Sequence, residues 1–287
     1  MKTAVLLTGK LIGVENIQNH IDQIFKPYNA DIFIDSWIPF RNNTMSIGNI
    51  KSEGVMDAVQ RGEETAERVL SNLIAGGMNA KEAKKHVDDI FGEDSPVDLV
   101  ELAQAYQPKV LNLEYFDAVP LVYQVRALRK ARGNTISKQS IMGIESTGTK
   151  IENVIFMWYK IWKANELRKA YEKSHKVRYD RIIRMRFDNT FENMPVIEPL
   201  PKIVYVPKGG DYLGGLNDQF AIADSQTMDL YCDLYNEIYR YLVAGFGIHP
   251  ESLLRKHFEV NRLNLIRLDC KMLLRGTELH KLEATVI

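Results

Sequence analysis

The sequence predicts an α/β fold built on a mainly parallel sheet flanked by helices. Three observations carry that expectation. Residues 3–8 (TAVLLT) are a near-continuous apolar run, as in a strand buried on both faces, and end at Gly9. Strand-like, helix-like and strand-like patterns follow one another within the first 37 residues, the signature of a right-handed βαβ unit. The same alternation resumes after residue 109 and runs to a last strand-like stretch at 262–269.

The first helix is expected over 14–25, where Val14, Ile17, Ile21, Ile24 and Phe25 recur at helical spacing, with Pro27 ending it. Residues 31–37 (DIFIDSW) read as the second strand. Residues 39–108 differ in character and read as a helical insertion within one domain spanning 1–287, with helices at 55–75 and 79–91 split by Gly76-Gly77. A strand at 109–113, a helix at 117–131 and a long polar loop at 133–149 come next. Residues 151–174 form the longest expected helix, followed by a strand at 179–187 and shorter ones at 202–206 and 219–223. One helix is expected at 225–243 and another at 250–260, the latter with Pro250 in its first turn.

Composition narrows the class. Lys+Arg and Asp+Glu both number 37, giving zero formal charge, which argues against broad non-specific nucleic-acid binding. The two cysteines, Cys232 and Cys270, sit in no CxxC pair and no zinc-type spacing, so free buried thiols in a reducing compartment are expected. No stretch approaches the ~20 apolar residues needed to span a bilayer, and the expected location is the cytoplasm.

The residues that can carry chemistry cluster at expected strand ends. In YDRIIRMRFD (179–188), Arg184 and Arg186 are two apart and share a strand face, which Asp188 continues. Guanidinium groups can grip phosphate oxygens in a forked geometry, and a carboxylate beside them can hold a divalent metal. Thr8-Gly9-Lys10 ends the first strand, where Gly9 admits a close ligand and Lys10 can meet a phosphate. Asp35 and Trp37 end the second strand, offering an acceptor for ribose or base and a stacking face. Lys163, in the long helix, is a further candidate for the phosphate site. Residues 209–220 hold four glycines in a loop that can close over a ligand; Asn217 and Gln219 can bond hydroxyls, and Asp218 is the best candidate general base. There is no GxGxxG, P-loop, HExxH or other paired-histidine metal motif. His249 and Glu251 read as residues of a helix start.

Taken together, DIFIDSW, MWYKIWKANELRKAYE, YDRIIRMRFD, NDQFAIADSQTMDLY and HPESLLRKHF resemble a loosely characterised family of nucleotide-sugar glycosyltransferases with a GT-A-like fold, found in bacteria and viruses. The resemblance covers the first 37 residues and roughly 150–260, not the insertion. It implies a GT-A-like, Rossmann-like domain that binds a sugar nucleotide, a UDP-sugar being favoured, at the strand ends. Asp188 would stand where the family keeps the metal-binding aspartate of its DxD motif, which implies manganese or magnesium. The sequence departs from DxD at Arg186, an arginine that can itself neutralise a diphosphate.

The expected activity is transfer of a sugar from a nucleoside diphosphate to a hydroxyl acceptor. Asp218 would be the base, Asp188 the metal ligand, and Thr8, Gly9, Lys10, Asp35, Lys163, Arg184 and Arg186 the donor site. Two other classes are alternatives, the first using the same arginines and the second needing a basic groove. One is a nucleotide- or carbohydrate-binding module without turnover; the other is a phage-type enzyme that glycosylates DNA bases, with nucleic acid as acceptor.

Overall fold

A computed structural model describes residues 1–10, 16–37, 79, 99–114, 119–131 and 151–274. The expected helices at 55–75 and 79–91, the loop at 133–149 and the Lys10 side chain lie outside the described residues, apart from Asn79 alone.

The chain runs β1 (Thr3–Lys10), a continuous helical stretch α1 (Ile17–His20, Ile21–Phe25 and Lys26–Tyr28), β2 (Ala30–Trp37), α2 (Leu99–Tyr106), β3 (Val110–Glu114), α3 (Pro120–Ala131) and α4 (Ile151–His175). It continues with β4 (Arg181–Arg186), β5 (Asn189–Glu192), β6 (Ile203–Pro207), β7 (Ala221–Asp224), α5 (Ser225–Cys232), α6 (Leu234–Val243), α7 (Pro250–Asn261), β8 (Asn264–Leu268) and β9 (Lys271–Leu274). Among the described residues, the main sheet has seven strands in the order β3-β2-β1-β4-β7-β6-β8, and β5 and β9 form a separate antiparallel pair. In the main sheet β7 alone runs against the others. The expectation of a mostly parallel sheet flanked by helices holds, and the arrangement is compatible with a Rossmann-like fold.

Strand alternation sorts the core into two layers. Ala4, Leu6, Phe33, Ile182, Val204, Val206, Ala221 and Ala223 face a layer made by α4 and by α5, α6 and α7. Val5, Leu7, Ile32, Ile34, Ile183, Met185 and Ile222 face the other, where Ile24 and Phe25 of α1 and Leu102 and Tyr106 of α2 pack. The long helix buries Trp158, Ile155 and Ile161 completely, each contributing about 1.5–3 kcal/mol by leaving water. Helix α2 lies inside the stretch read as an insertion, yet it packs onto the sheet: Tyr106 meets Phe25 and Phe187 edge-on.

Two local expectations are corrected. Pro27 does not end the first helix. The stretch is α-helical at Ile17–His20, widens to a π-turn at Ile21–Phe25 and closes at Lys26–Tyr28, with Asn29 in the left-handed region (φ 45) ending it. The π-turn precedes a proline that has no N–H to give the ordinary helical ladder. The single helix at 225–243 is two, broken at Asp233, which stands at the start of the second without a side-chain cap hydrogen bond, its carboxylate accepting instead from the Asn236 side chain at 2.6 Å. In the main sheet β4 is a central strand, between β1 and β7.

Candidate functional site

The register places the opening strand tip beside the arginine strand: Thr8 lies opposite Arg186 and, on the other side, opposite Asp35. Laterally paired residues point to the same side of a sheet, so Thr8, Asp35, Arg184 and Arg186 all project into the layer beneath α4. The first of the three arginines, Arg181, faces the opposite layer. There it stacks on Tyr28 and bonds Thr3 Oγ1 and the Ile197 carbonyl, a structural role.

At the mouth of the site, Arg186 and Asp188 form a fork. Arg186 Nε donates to Asp188 Oδ1 at 2.7 Å, and Nη2 donates to Oδ2. A turn after β4 makes this possible, held by the Arg186 N–H on Asn189 Oδ1 at 2.8 Å. The two side chains are 32% and 21% exposed. Gly9 takes a backbone conformation (φ +110) that suits glycine, and a Cβ there would sit 3.9 Å from Arg186 Cγ.

Deeper lies Arg184, fully buried. Its hydrogen-bond partner among the described residues is the Asp218 backbone carbonyl, and its Nε has none. Burial pulls its guanidinium below the usual value, against the opposing influence of Tyr231 and Asp218. The Asp218 carboxyl is pushed up by burial, with Arg184 and Arg186 working the other way. Thr8 Oγ1 and the Tyr231 hydroxyl are also buried without hydrogen-bond partners among the described residues. A run of unpartnered polar atoms along one side of a sheet is uncommon in a core, because each costs about 1–3 kcal/mol of desolvation unless water or a ligand meets it.

The glycine loop brings in a residue that sequence reasoning read as part of a helix start. Gly215 packs against Glu251, and the Leu216 N–H donates to the Glu251 carbonyl at 3.0 Å. Glu251 stands in the first turn of α7 and is 7% exposed. Burial first, then the charges of Asp218 and Asp211, push its carboxyl up to about 7. His249 Nδ1 is 3.2 Å from Glu251 Oε2, within ion-pair range but not aligned for a hydrogen bond, so Oε2 has no hydrogen-bond partner. His249 is the N-cap residue of that helix but makes no side-chain cap hydrogen bond. Pro250 marks the helix start in the sequence, but nothing there says that residues 211–218 land upon it.

Other predicted site residues are drawn elsewhere. Asp35 is buried and bonded to Lys160 Nζ (3.2 Å) and Asn112 Nδ2 (2.7 Å). Its carboxyl is raised to about 6 by burial, with Lys160 and Asn112 opposing. Lys160 also reaches Glu114 Oε2 at 2.6 Å and lies 3.9 Å over the Trp37 ring. Trp37 packs on Tyr159 and Phe156, so the stacking face read from the sequence is covered. Asp35 is therefore held in an internal ion-pair network through Oδ1, while its buried Oδ2 has no hydrogen-bond partner among the described residues. Lys163 belongs to the same neighbourhood. Burial pushes the Glu114 carboxyl up, but Lys160, Asn112 and Lys163 together bring it below its ordinary value. Lys163 thus acts on Glu114 at the end of β3. Asn217 is spent inside its own loop, donating to the Gly209 carbonyl and accepting from the Gln219 N–H.

The expected metal role of Asp188 meets a direct competitor, since Arg186 takes both of its carboxylate oxygens. Among the described residues no three His, Cys, Asp or Glu side chains are grouped to hold a metal ion. Among the described residues this donor set does not make a preformed metal centre. Also among the described residues, no helix is long and apolar enough to cross a membrane. The chain matches no known protein-family model and no curated protein sequence.

Proposed function

We propose that the protein is a GT-A-like glycosyltransferase that moves a sugar from a nucleoside diphosphate to an acceptor hydroxyl. The observation that carries this reading is the convergence of Gly9, Arg184, Arg186, Asp188 and Asp218 at the carboxyl ends of adjacent strands β1 and β4. Ligands of open α/β sheets bind at such strand ends.

The donor's diphosphate lies at the tip of β4, where Arg186 faces it and Arg184 adds positive charge from below. As the bond from the sugar's anomeric carbon to the diphosphate oxygen breaks, negative charge grows on the leaving group, and fixed cations lower the barrier. The acceptor oxygen bonds to that carbon and its proton passes to the Asp218–Glu251 acid pair. A carboxyl held near 7 by burial suits that task, because an effective base has a pKa close to the working pH.

The test is release of nucleoside diphosphate from a panel of UDP-sugars, with and without acceptor and manganese, for the wild type and for Asp218→Asn. Turnover that falls about 100-fold or more in the variant supports the reading. Binding of UDP with no release under any condition would instead identify a binding module. The phage-type reading requires DNA to accept the sugar, and labelled transfer to duplex DNA tests it.

A further inference from the structure

The fork between Arg186 and Asp188 bears on how a diphosphate would be held. We propose that the diphosphate displaces Asp188 from Arg186 and is gripped by the freed guanidinium, so that nucleotide binding at this site needs no divalent metal. The inference rests on the nucleotide-sugar reading above and adds to it the mode of recognition.

Four observations support it. Arg186 already presents two N–H donors to two oxygens, through Nε and Nη2, the geometry that a phosphate group also accepts. Both partners are partly exposed, so the exchange needs no opening of the core. Arg184, buried behind the fork, has a backbone carbonyl rather than a carboxylate as its hydrogen-bond partner among the described residues, and its Nε has none, so a second guanidinium backs Arg186. Lastly, Gly9 carries no side chain on the flank of Arg186, which leaves room for phosphate oxygens against the β1 backbone.

The fork also explains the departure from the acidic metal motif. A second aspartate at position 186 would pair with a cation shared by both carboxylates. An arginine there supplies the positive charge itself and is held in place by Asp188 until the ligand arrives.

Calorimetric titration of the full chain with UDP, and separately with inorganic pyrophosphate, tests this in EDTA and in manganese. The expected result is binding of both probes in EDTA. Asp188→Asn removes the competing carboxylate and tightens binding about two- to fivefold, the range of a partly exposed ion pair. Arg186→Lys keeps the charge but loses the fork, and Arg186→Ala loses both; each weakens binding, the alanine variant by about tenfold or more. Thermal melts of each variant confirm that the fold is kept. Binding seen only with manganese, and abolished by Asp188→Asn, would make Asp188 a metal ligand and overturn the inference while leaving the nucleotide reading intact. No binding of either probe under any condition would remove both.

Discussion

Gly215 lies so close to Glu251 that a Cβ on the glycine would sit 2.3 Å from the Glu251 carbonyl carbon and 2.6 Å from its oxygen. The contact fixes the loop between β6 and β7 onto the first turn of α7 and sets Glu251 beside Asp218. Gly215→Ala must push backbone against backbone. It is expected to cost about 1–3 kcal/mol, the range for overpacking, and to move Glu251 away from the site. Urea denaturation together with the donor-release assay measures both; an unchanged midpoint would mean that the loop is not held as described.

Glu251 makes stability depend on pH in a defined window. Its carboxyl is raised from an ordinary 4.5 to about 7, so the folded chain keeps a proton that the unfolded chain releases. Stability from this group is complete below about 4.5, falls as pH rises toward 7 and is flat above. His20 works oppositely: burial lowers it from 6.5 to about 4, so its contribution is lost as pH falls through that interval. Subtracting the Glu251→Gln curve from the wild-type curve isolates the acid. A difference that does not decline between pH 4.5 and 7 would contradict the burial of Glu251 beside Asp218 and Asp211.

The same variant probes the chemistry. If Glu251 takes the acceptor's proton, Glu251→Gln removes the rising limb of kcat/KM near pH 7 and slows transfer about 100-fold or more. If Asp218 is the acceptor instead, its own amide variant abolishes the limb and Glu251→Gln only shifts it.

Lys160→Met separates the two roles considered for Asp35. Leaving that buried carboxylate unpaired is expected to cost about 3–5 kcal/mol, and Asp35→Asn on the same background should recover part of it. A small stability loss with a large loss of UDP affinity would return Asp35 to the donor site.

Gly9→Ala tests the approach at the β1 tip. The backbone at φ +110 strains any side chain, at about 1–3 kcal/mol, and the new methyl lies against the Arg186 stem. Weaker UDP binding beyond the change in stability is expected, read by titration at a temperature where the variant is fully folded.

Much of the fold was legible along the chain. The apolar run at 3–8, the helical period of 151–174 and Pro250 each marked an element that is present. What was missed depends on distant partners. Strand β5 exists because Asn189–Glu192 finds Lys271–Leu274, a pairing that no local pattern announces. The neighbourhood of Arg186 and Asp188 was readable, but not their fork. On a straight strand, residues two apart point the same way yet stand roughly 6–7 Å from each other, and only the turn at Asn189 closes that gap.

By itself the sequence determined the alternation of elements, the shared face of Arg184 and Arg186, and the glycines that let 209–215 turn sharply, because these follow from short-range periodicity and backbone sterics. Tertiary structure alone decided which charges are spent. It pairs Asp35 with Lys160, leaves Arg184 facing a carbonyl, forks Arg186 onto Asp188 and carries Glu251 to Asp218. The reason is physical: the free energy of a charge depends on its burial and on the groups beside it, and both are set by segments far apart in the chain.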